Sequence, residues 1–537
     1  MLAPLTRPGY VLRYDMVFVP RQPLRWDLFA SGDALPRAVP QDAVVSLVSL
    51  AVPGWLLQRI VLVAIIWVAV VGAGRLVPAR RELTRLVAAI GYAWTPFLAE
   101  RLLLGQWGLL LAYAALPWLV RAAIGLREGR RGALPRVVVA AAAAAITPTG
   151  GLLALTTVSV LLLGRGGPGR RAFGAAFGAV AVLNLPWLVA AAVTTAGGRS
   201  DSDGVAAFAA RGENWAGPLA ALAGTGGIWN SLTMPASRGA LLVPVVTAGL
   251  LVLAALGFPA LRDRWPTGAA IRLGVLAVGS FAAAATATLP AGAAALRWLV
   301  AEVPGAGLLR DGQKLLIPYA LCLVLCAALG GERVVARLEH PRDRLALIGL
   351  VLLPVAVLPD LAYGVAGRLH PVRYPQEWDV VARTVAREPG PTLSLPMSMY
   401  RSYRWNQGTV VIDPLARYLP VEVITDDTLL VGDRRVDGES GRVAQLRGAL
   451  AERRSLAGSD LRWVVVQHRS GGTVPPQVLD GLQVIHSGPE LTLYRNAAAP
   501  AAGTEQRGGW PLIVGLCSAL ATLLLAIVSL LRRPTAW

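Results

Sequence analysis

Long apolar stretches separated by short, Arg-rich polar segments run through most of the chain. They fall near 59–77, 83–99, 107–125, 134–147, 151–164, 172–193, 240–261, 268–289, 314–330, 345–363 and 509–531. Most approach the roughly 20 residues that an α-helix needs to cross about 30 Å of hydrocarbon. The stretches at 134–147 and 151–164 are too short to cross upright, and Thr147-Pro148-Thr149-Gly150 between them is a helix-breaking turn. Broken helices are tolerated at membrane depth only where protein or a watery cavity surrounds them. The pattern predicts a polytopic α-helical membrane protein with about eleven spans.

Two regions depart from this pattern. Residues 1–58 are polar enough to stay out of the bilayer, except for an apolar stretch at 43–57 that Pro53-Gly54 interrupts. Residues 364–506 carry short β-branched and aliphatic runs at 392–395, 409–412, 461–467, 482–485 and 491–494, and an amphipathic pattern at 441–454. They predict a small α/β domain before the last span. The expected organisation is a loop region (1–58), a membrane core (59–363), the α/β domain (364–506), and a final span with its tail (507–537).

Charge adds an orientation. The net charge of +19 lies mostly between spans, where the positive-inside rule places it. With the N-terminus outside, the inner segments hold 21 basic and six acidic residues, and the outer segments hold 30 and 26. That asymmetry puts residues 364–506 on the exoplasmic side and the C-terminus inside. A nucleic-acid binder would gather its basic residues on one face among aromatics, so that class is set aside. The α/β domain is nearly balanced, with 16 Arg against 15 acids. Cys322, Cys326 and Cys517 all lie in expected spans, and His340, His370, His468 and His486 are scattered. Neither set has metal-ligand spacing, and no metal or cofactor is expected. The first 30 residues have no apolar core after a basic start, so no cleaved leader is expected.

Polar residues beside the spans carry the candidate chemistry, because charges near hydrocarbon are costly. The first outer loop holds Tyr14-Asp15-Met16-Val17 and Trp26-Asp27. Asp15, or Asp27 after it, could act as general base toward a hydroxyl; a solvated loop aspartate is the plain alternative. A second group is Glu100-Arg101 with Gln106-Trp107, which could equally be an interfacial ion pair and a belt aromatic. The third is Arg310-Asp311-Gly312-Gln313-Lys314, entering a span. Lys314 is the sole lysine among 51 basic residues, and with Arg310 four positions earlier it could offer two cations to a lipid phosphate. Snorkelling interfacial charges are the alternative.

These segments, in this order, resemble the membrane-embedded GT-C glycosyltransferases of actinobacterial cell-envelope assembly, in particular the arabinofuranosyl- and mannosyltransferases that use polyprenyl-phosphate sugars. The resembling parts are the Asp15 loop, the Glu100–Trp107 hairpin, the break at Thr147–Gly150, Gly226-Gly227-Ile228-Trp229-Asn230 and the Arg310–Lys314 entrance. An outer domain with Trp405-Asn406 and Asp413-Pro414 completes the likeness. The resemblance implies inverting sugar transfer from a polyprenyl-phosphate donor to a cell-envelope glycan or glycolipid. Asp15 would be the base, while Arg310, Lys314 and Arg101 would face the leaving phosphate. Glu100, Gln106, Trp107 and Trp229 would meet sugar or acceptor. It also implies a span ahead of the first outer loop. The sequence has none there, so either an upstream segment precedes Met1 or the 1–58 tail crosses unaided. A transporter would place broken helices at similar depth but normally shows internal repeats, which are not evident. A non-catalytic scaffold is the other rival.

Overall fold

The computed structural model describes residues 1–25, 28, 38–164, 166–194, 198–499 and 509–532. Among these, seven helices are long and apolar enough to cross a membrane: Gly54–Leu76, Trp107–Arg127, Arg170–Val193, Val243–Arg264, Ala269–Thr288, Gly312–Val335 and Trp510–Arg532. Arg342–Val357 with Pro359–Ala366 adds an eighth if that pair, bent by 76°, is one span. Ala133–Ala144 and Pro148–Leu162 are shorter apolar helices flanking the expected break.

The expected stretch at 83–99 is not one helix. It divides at Trp94-Thr95 into Glu82–Ala93 and Pro96–Leu103. Pro96 disfavours helical geometry at Thr95, and the Thr95 hydroxyl caps the second helix by accepting from the Leu98 amide at 3.2 Å. The helix after the break, Pro96–Leu103, carries Glu100 and Arg101, both buried.

Trp107–Arg127 and Gly312–Val335 are mostly buried and form the centre, whereas little of Val243–Arg264 and Trp510–Arg532 is buried. Small residues let the helices approach closely, the usual basis of packing inside a bilayer. A Cβ on Gly257 would stand 1.9 Å from the Cys326 carbonyl oxygen, and one on Gly330 would stand 1.8 Å from that of Leu253.

Polar contacts gather at the two ends of the bundle. At one end Arg81 pairs with Asp343 at 2.7 Å, Arg264 with Glu332 at 2.6 Å, and Arg121 donates to the Arg75 carbonyl. All of these lie in segments expected inside. At the other end the 1–25 region, Pro96–Leu103, residues 198–240, residues 304–314 and the α/β domain contact one another.

The α/β domain is a five-stranded mixed sheet in the order Gln483–Ser487, Leu491–Arg495, Trp463–Gln467, Thr392–Leu395, Val423–Ile424. Thr392–Leu395 runs parallel to both its neighbours, and the other pairings are antiparallel. The helix Gln376–Arg387 buries Trp378, Val381 and Val385, one face at helical spacing. Two small strands couple this domain to the chain's start, where Tyr10–Val11 pairs with Pro371–Val372. Beside them, the ring of Tyr374 lies 5.0–5.4 Å from those of Tyr10, Trp378, Trp405 and Tyr418.

Candidate active site

Asp15 sits in a tight turn where Arg13 and Met16 exchange backbone hydrogen bonds, at 2.9 and 3.2 Å. Tyr14 lies in the left-handed region at φ 43°, a costly conformation for a bulky residue unless its surroundings hold it. They do hold it. The Tyr14 amide donates to the Val410 carbonyl at 2.7 Å, and the Ile412 amide donates to the Tyr14 carbonyl at 2.9 Å. From the other side, the Asp15 amide donates to the Leu104 carbonyl at 3.1 Å. Gly105, at φ 78°, permits that approach, since a Cβ there would stand 2.3 Å from the Met16 nitrogen.

The half-buried Asp15 carboxylate ends a chain of polar groups. Its Oδ2 accepts from Gln106 Nε2 at 3.1 Å and its Oδ1 from the Tyr400 hydroxyl at 2.5 Å. Gln106 is oriented by Arg101, which donates to Gln106 Oε1 at 2.7 Å. Arg101 is itself held by a bidentate pair with Asp311, at 2.6 and 2.8 Å, the strongest common form of charged hydrogen bond. Asp311 also receives Trp229 Nε1 at 3.4 Å and stands 3.6 Å from Lys314 Nζ. Burial pushes the Asp311 carboxyl up, but Arg101 and then Lys314 outweigh it and hold it below the usual carboxylate range. Lys314 lies within electrostatic reach of Asp15 and Arg310 as well.

Access sorts the cations. The Arg101 side chain is 0% exposed, that of Arg310 14% and that of Lys314 27%. Lys314 is therefore the cation of the three most open to an incoming anion, and Arg101 acts through Asp311 and Gln106. The Arg310 guanidinium lies over the Phe208 ring at 5.6 Å and 3.9 Å from Glu439 of the α/β domain.

Glu100 and Trp107 do not face this space. Trp107 is buried against Phe18, with ring centroids 5.3 Å apart. Glu100 is fully buried and receives Gln313 Nε2 at 2.6 Å. Beside it, Glu213 accepts the Gly227 amide at 2.7 Å and Arg238 Nε at 2.8 Å. Neither Glu100 nor Trp107 has surface to offer a sugar in this state. Burial, then the Glu213 charge, push the Glu100 carboxyl well above the carboxylate range. A carboxyl raised in the folded protein contributes stability that is complete below its ordinary value of 4.5 and lost as pH rises through the raised one. Glu100→Gln keeps the neutral hydrogen bonding without that loss. Its melting temperature in detergent should gain on the wild type's as pH rises above 4.5, and parallel curves would refute the raised Glu100 carboxyl.

Asp27 lies outside the described residues. Asp15, Arg101, Gln106, Trp229, Arg310 and Lys314 come together at one end of the bundle, joined by Tyr400, Asp311 and Glu439, which sequence reasoning did not single out.

Beside the Ala223–Thr225 segment, the helices Glu82–Ala93, Val243–Arg264, Ile317–Val335 and Arg342–Val357 line a mainly apolar groove. Its lining is almost wholly aliphatic, and Trp94, Thr95, Thr225 and Arg238 bound its polar end.

The fold is similar to that of a mycobacterial arabinofuranosyltransferase. The cryo-EM structure of arabinofuranosyltransferase AftD from Mycobacteria superposes with a TM-score of 0.57 at 18% identity, over 93% of this chain and 39% of that one. A mutant form of AftD gives 0.54 at 17% identity, over 92% and 40%. The chain thus spans about two-fifths of the length of these structures. No family model matches it, and no curated protein sequence does.

Proposed function

We propose that the chain is a membrane glycosyltransferase that moves a sugar from a polyprenyl-phosphate donor to a cell-envelope glycan or glycolipid, inverting the anomeric carbon. The bacterial plasma membrane would hold its helices, with the α/β domain on the outer face. The observation that carries this reading is the held Asp15 carboxylate in one cluster with Lys314, on a fold similar to AftD's.

In this mechanism Asp15 takes the proton of the acceptor hydroxyl as its oxygen attacks the anomeric carbon. The bond from that carbon to the phosphate oxygen breaks, and the electron pair leaves with polyprenyl phosphate. Lys314, with Arg310 beyond it, stabilises the charge on the departing phosphate, the kind of electrostatic term that is usually the largest in catalysis. Arg101 and Gln106 fix the base. Trp229, half-buried and anchored on Asp311, offers a ring face to the sugar. The aliphatic groove suits an isoprenoid chain, which dissolves in hydrocarbon as its phosphate remains in the polar layer.

Lys314→Ala tests the phosphate assignment. Hydrogen bonds to charged groups contribute about 1.5–3 kcal/mol, so transfer should fall roughly 10- to 100-fold. Initial rates with a short-chain polyprenyl-phosphate sugar would measure this, and an unchanged rate would remove Lys314 from the site.

A further inference from the structure

The α/β domain reaches the turn that carries Asp15 at several points. Its 400–412 hairpin sandwiches Tyr14 between Val410 and Ile412, and Asn406 Nδ2 donates to the Leu12 carbonyl at 3.1 Å. Tyr400, on the first strand of that hairpin, donates its hydroxyl to Asp15 Oδ1 at 2.5 Å. The hairpin is itself firmly rooted. Arg401, adjacent to Tyr400, is fully buried and donates to Asp413 at 2.8 Å, to Ser394 Oγ at 2.7 Å and to the Pro396 carbonyl at 2.9 Å. Gln467, in the sheet's middle strand, closes the same network on Asp413. The Tyr400 ring packs with Leu104, Ile228 and Tyr14, so its position does not depend on the hydroxyl.

We propose that Tyr400 is a positioning residue for the Asp15 carboxylate, and that the α/β domain is thereby part of the reaction centre and not only a platform for the acceptor. This rests on Asp15 being the base. Gln106 fixes one carboxylate oxygen from the membrane core and Tyr400 fixes the other from the α/β domain. The carboxylate is aligned only while the two parts are docked. Such alignment matters because small misplacements of a reacting group cost large factors in rate.

Tyr400→Phe keeps the ring and removes the hydrogen bond. In full-length protein in liposomes, turnover should fall roughly 10- to 100-fold, while KM for donor and acceptor stays within about twofold because Tyr400 acts on the base. In an Asp15→Asn background, adding Tyr400→Phe should cost less than about twofold more, since groups acting as one unit are not additive. Melting temperatures should couple the same way, with the double variant melting no lower than the more affected single one. Full turnover in Tyr400→Phe, a raised acceptor KM at unchanged turnover, or losses that multiply would each overturn the proposal. An inactive Asp15→Asn beside a fully active Tyr400→Phe overturns the Tyr400 role alone. Wild-type turnover in Asp15→Asn overturns the base assignment and the Tyr400 role with it.

Discussion

Asp15→Asn should lower sugar transfer by roughly 10²- to 10⁴-fold, the range expected when a general base is removed. The substitution keeps the side chain's shape and its place between Gln106 and Tyr400. It offers an amide where one of those donors expects an oxygen, so one hydrogen bond is lost and the melting temperature should fall slightly. The large effect belongs in turnover, with donor affinity retained through Lys314 and Arg310. Initial rates and donor binding on the same purified protein separate the two. A variant that turns over like the wild type would move the base elsewhere, and Asp27 is next in order along the first outer loop.

The second large effect concerns stability. Arg101 and Asp311 form a bidentate pair whose side chains are 0% and 8% exposed. Removing one partner of a buried pair strands the other charge, at a cost of about 3–5 kcal/mol. Asp311→Leu should therefore unfold far more readily in denaturant, and Gln106 should lose its alignment as Arg101 shifts. Arg101→Leu combined with Asp311→Leu should regain part of the stability, because neither charge of the pair is then stranded, while Lys314, Trp229 and Gln106 lose their partners. The double variant should stay poorly active, since nothing then orients Gln106 toward Asp15. A single variant within about 1 kcal/mol of the wild type would contradict the burial on which this rests. The pair's contribution is present above the ordinary aspartate range and lost as pH falls through the lowered value of Asp311.

Seven of the eleven expected spans correspond to helices long and apolar enough to cross a membrane, because each shows itself locally as a run of apolar residues. Legibility failed where one residue decides. Pro96 and the Thr95 cap cut a stretch that hydropathy alone reads as continuous. In the α/β domain all five expected strands are present, from Thr392–Leu395 to Leu491–Arg495. The helix Gln376–Arg387 was overlooked, although Trp378, Val381 and Val385 mark its buried face after Pro375. Candidate residues were found by their cost near hydrocarbon, a local property, and that singled out Arg101, Arg310 and Lys314. It could not reveal that Arg101 is spent on Asp311, 210 positions away, or that Tyr400 lies on Asp15 across 385. Asp311 had a signal in hindsight: it is an acid set between two cations, Arg310 and Lys314, at a span entrance. Tyr400 had none, because nothing in a hairpin tyrosine says which loop it will meet.

The most direct test of the central claim is a product analysis with the wild-type protein reconstituted in liposomes. Polyprenyl-phosphate pentofuranose and mannose donors would be supplied with a cell-envelope glycan acceptor. The account predicts release of one polyprenyl phosphate for each new glycosidic bond, an inverted configuration at the anomeric carbon, and loss of both products in Asp15→Asn. Retention of configuration, or donor consumption no greater than in Asp15→Asn, would contradict it.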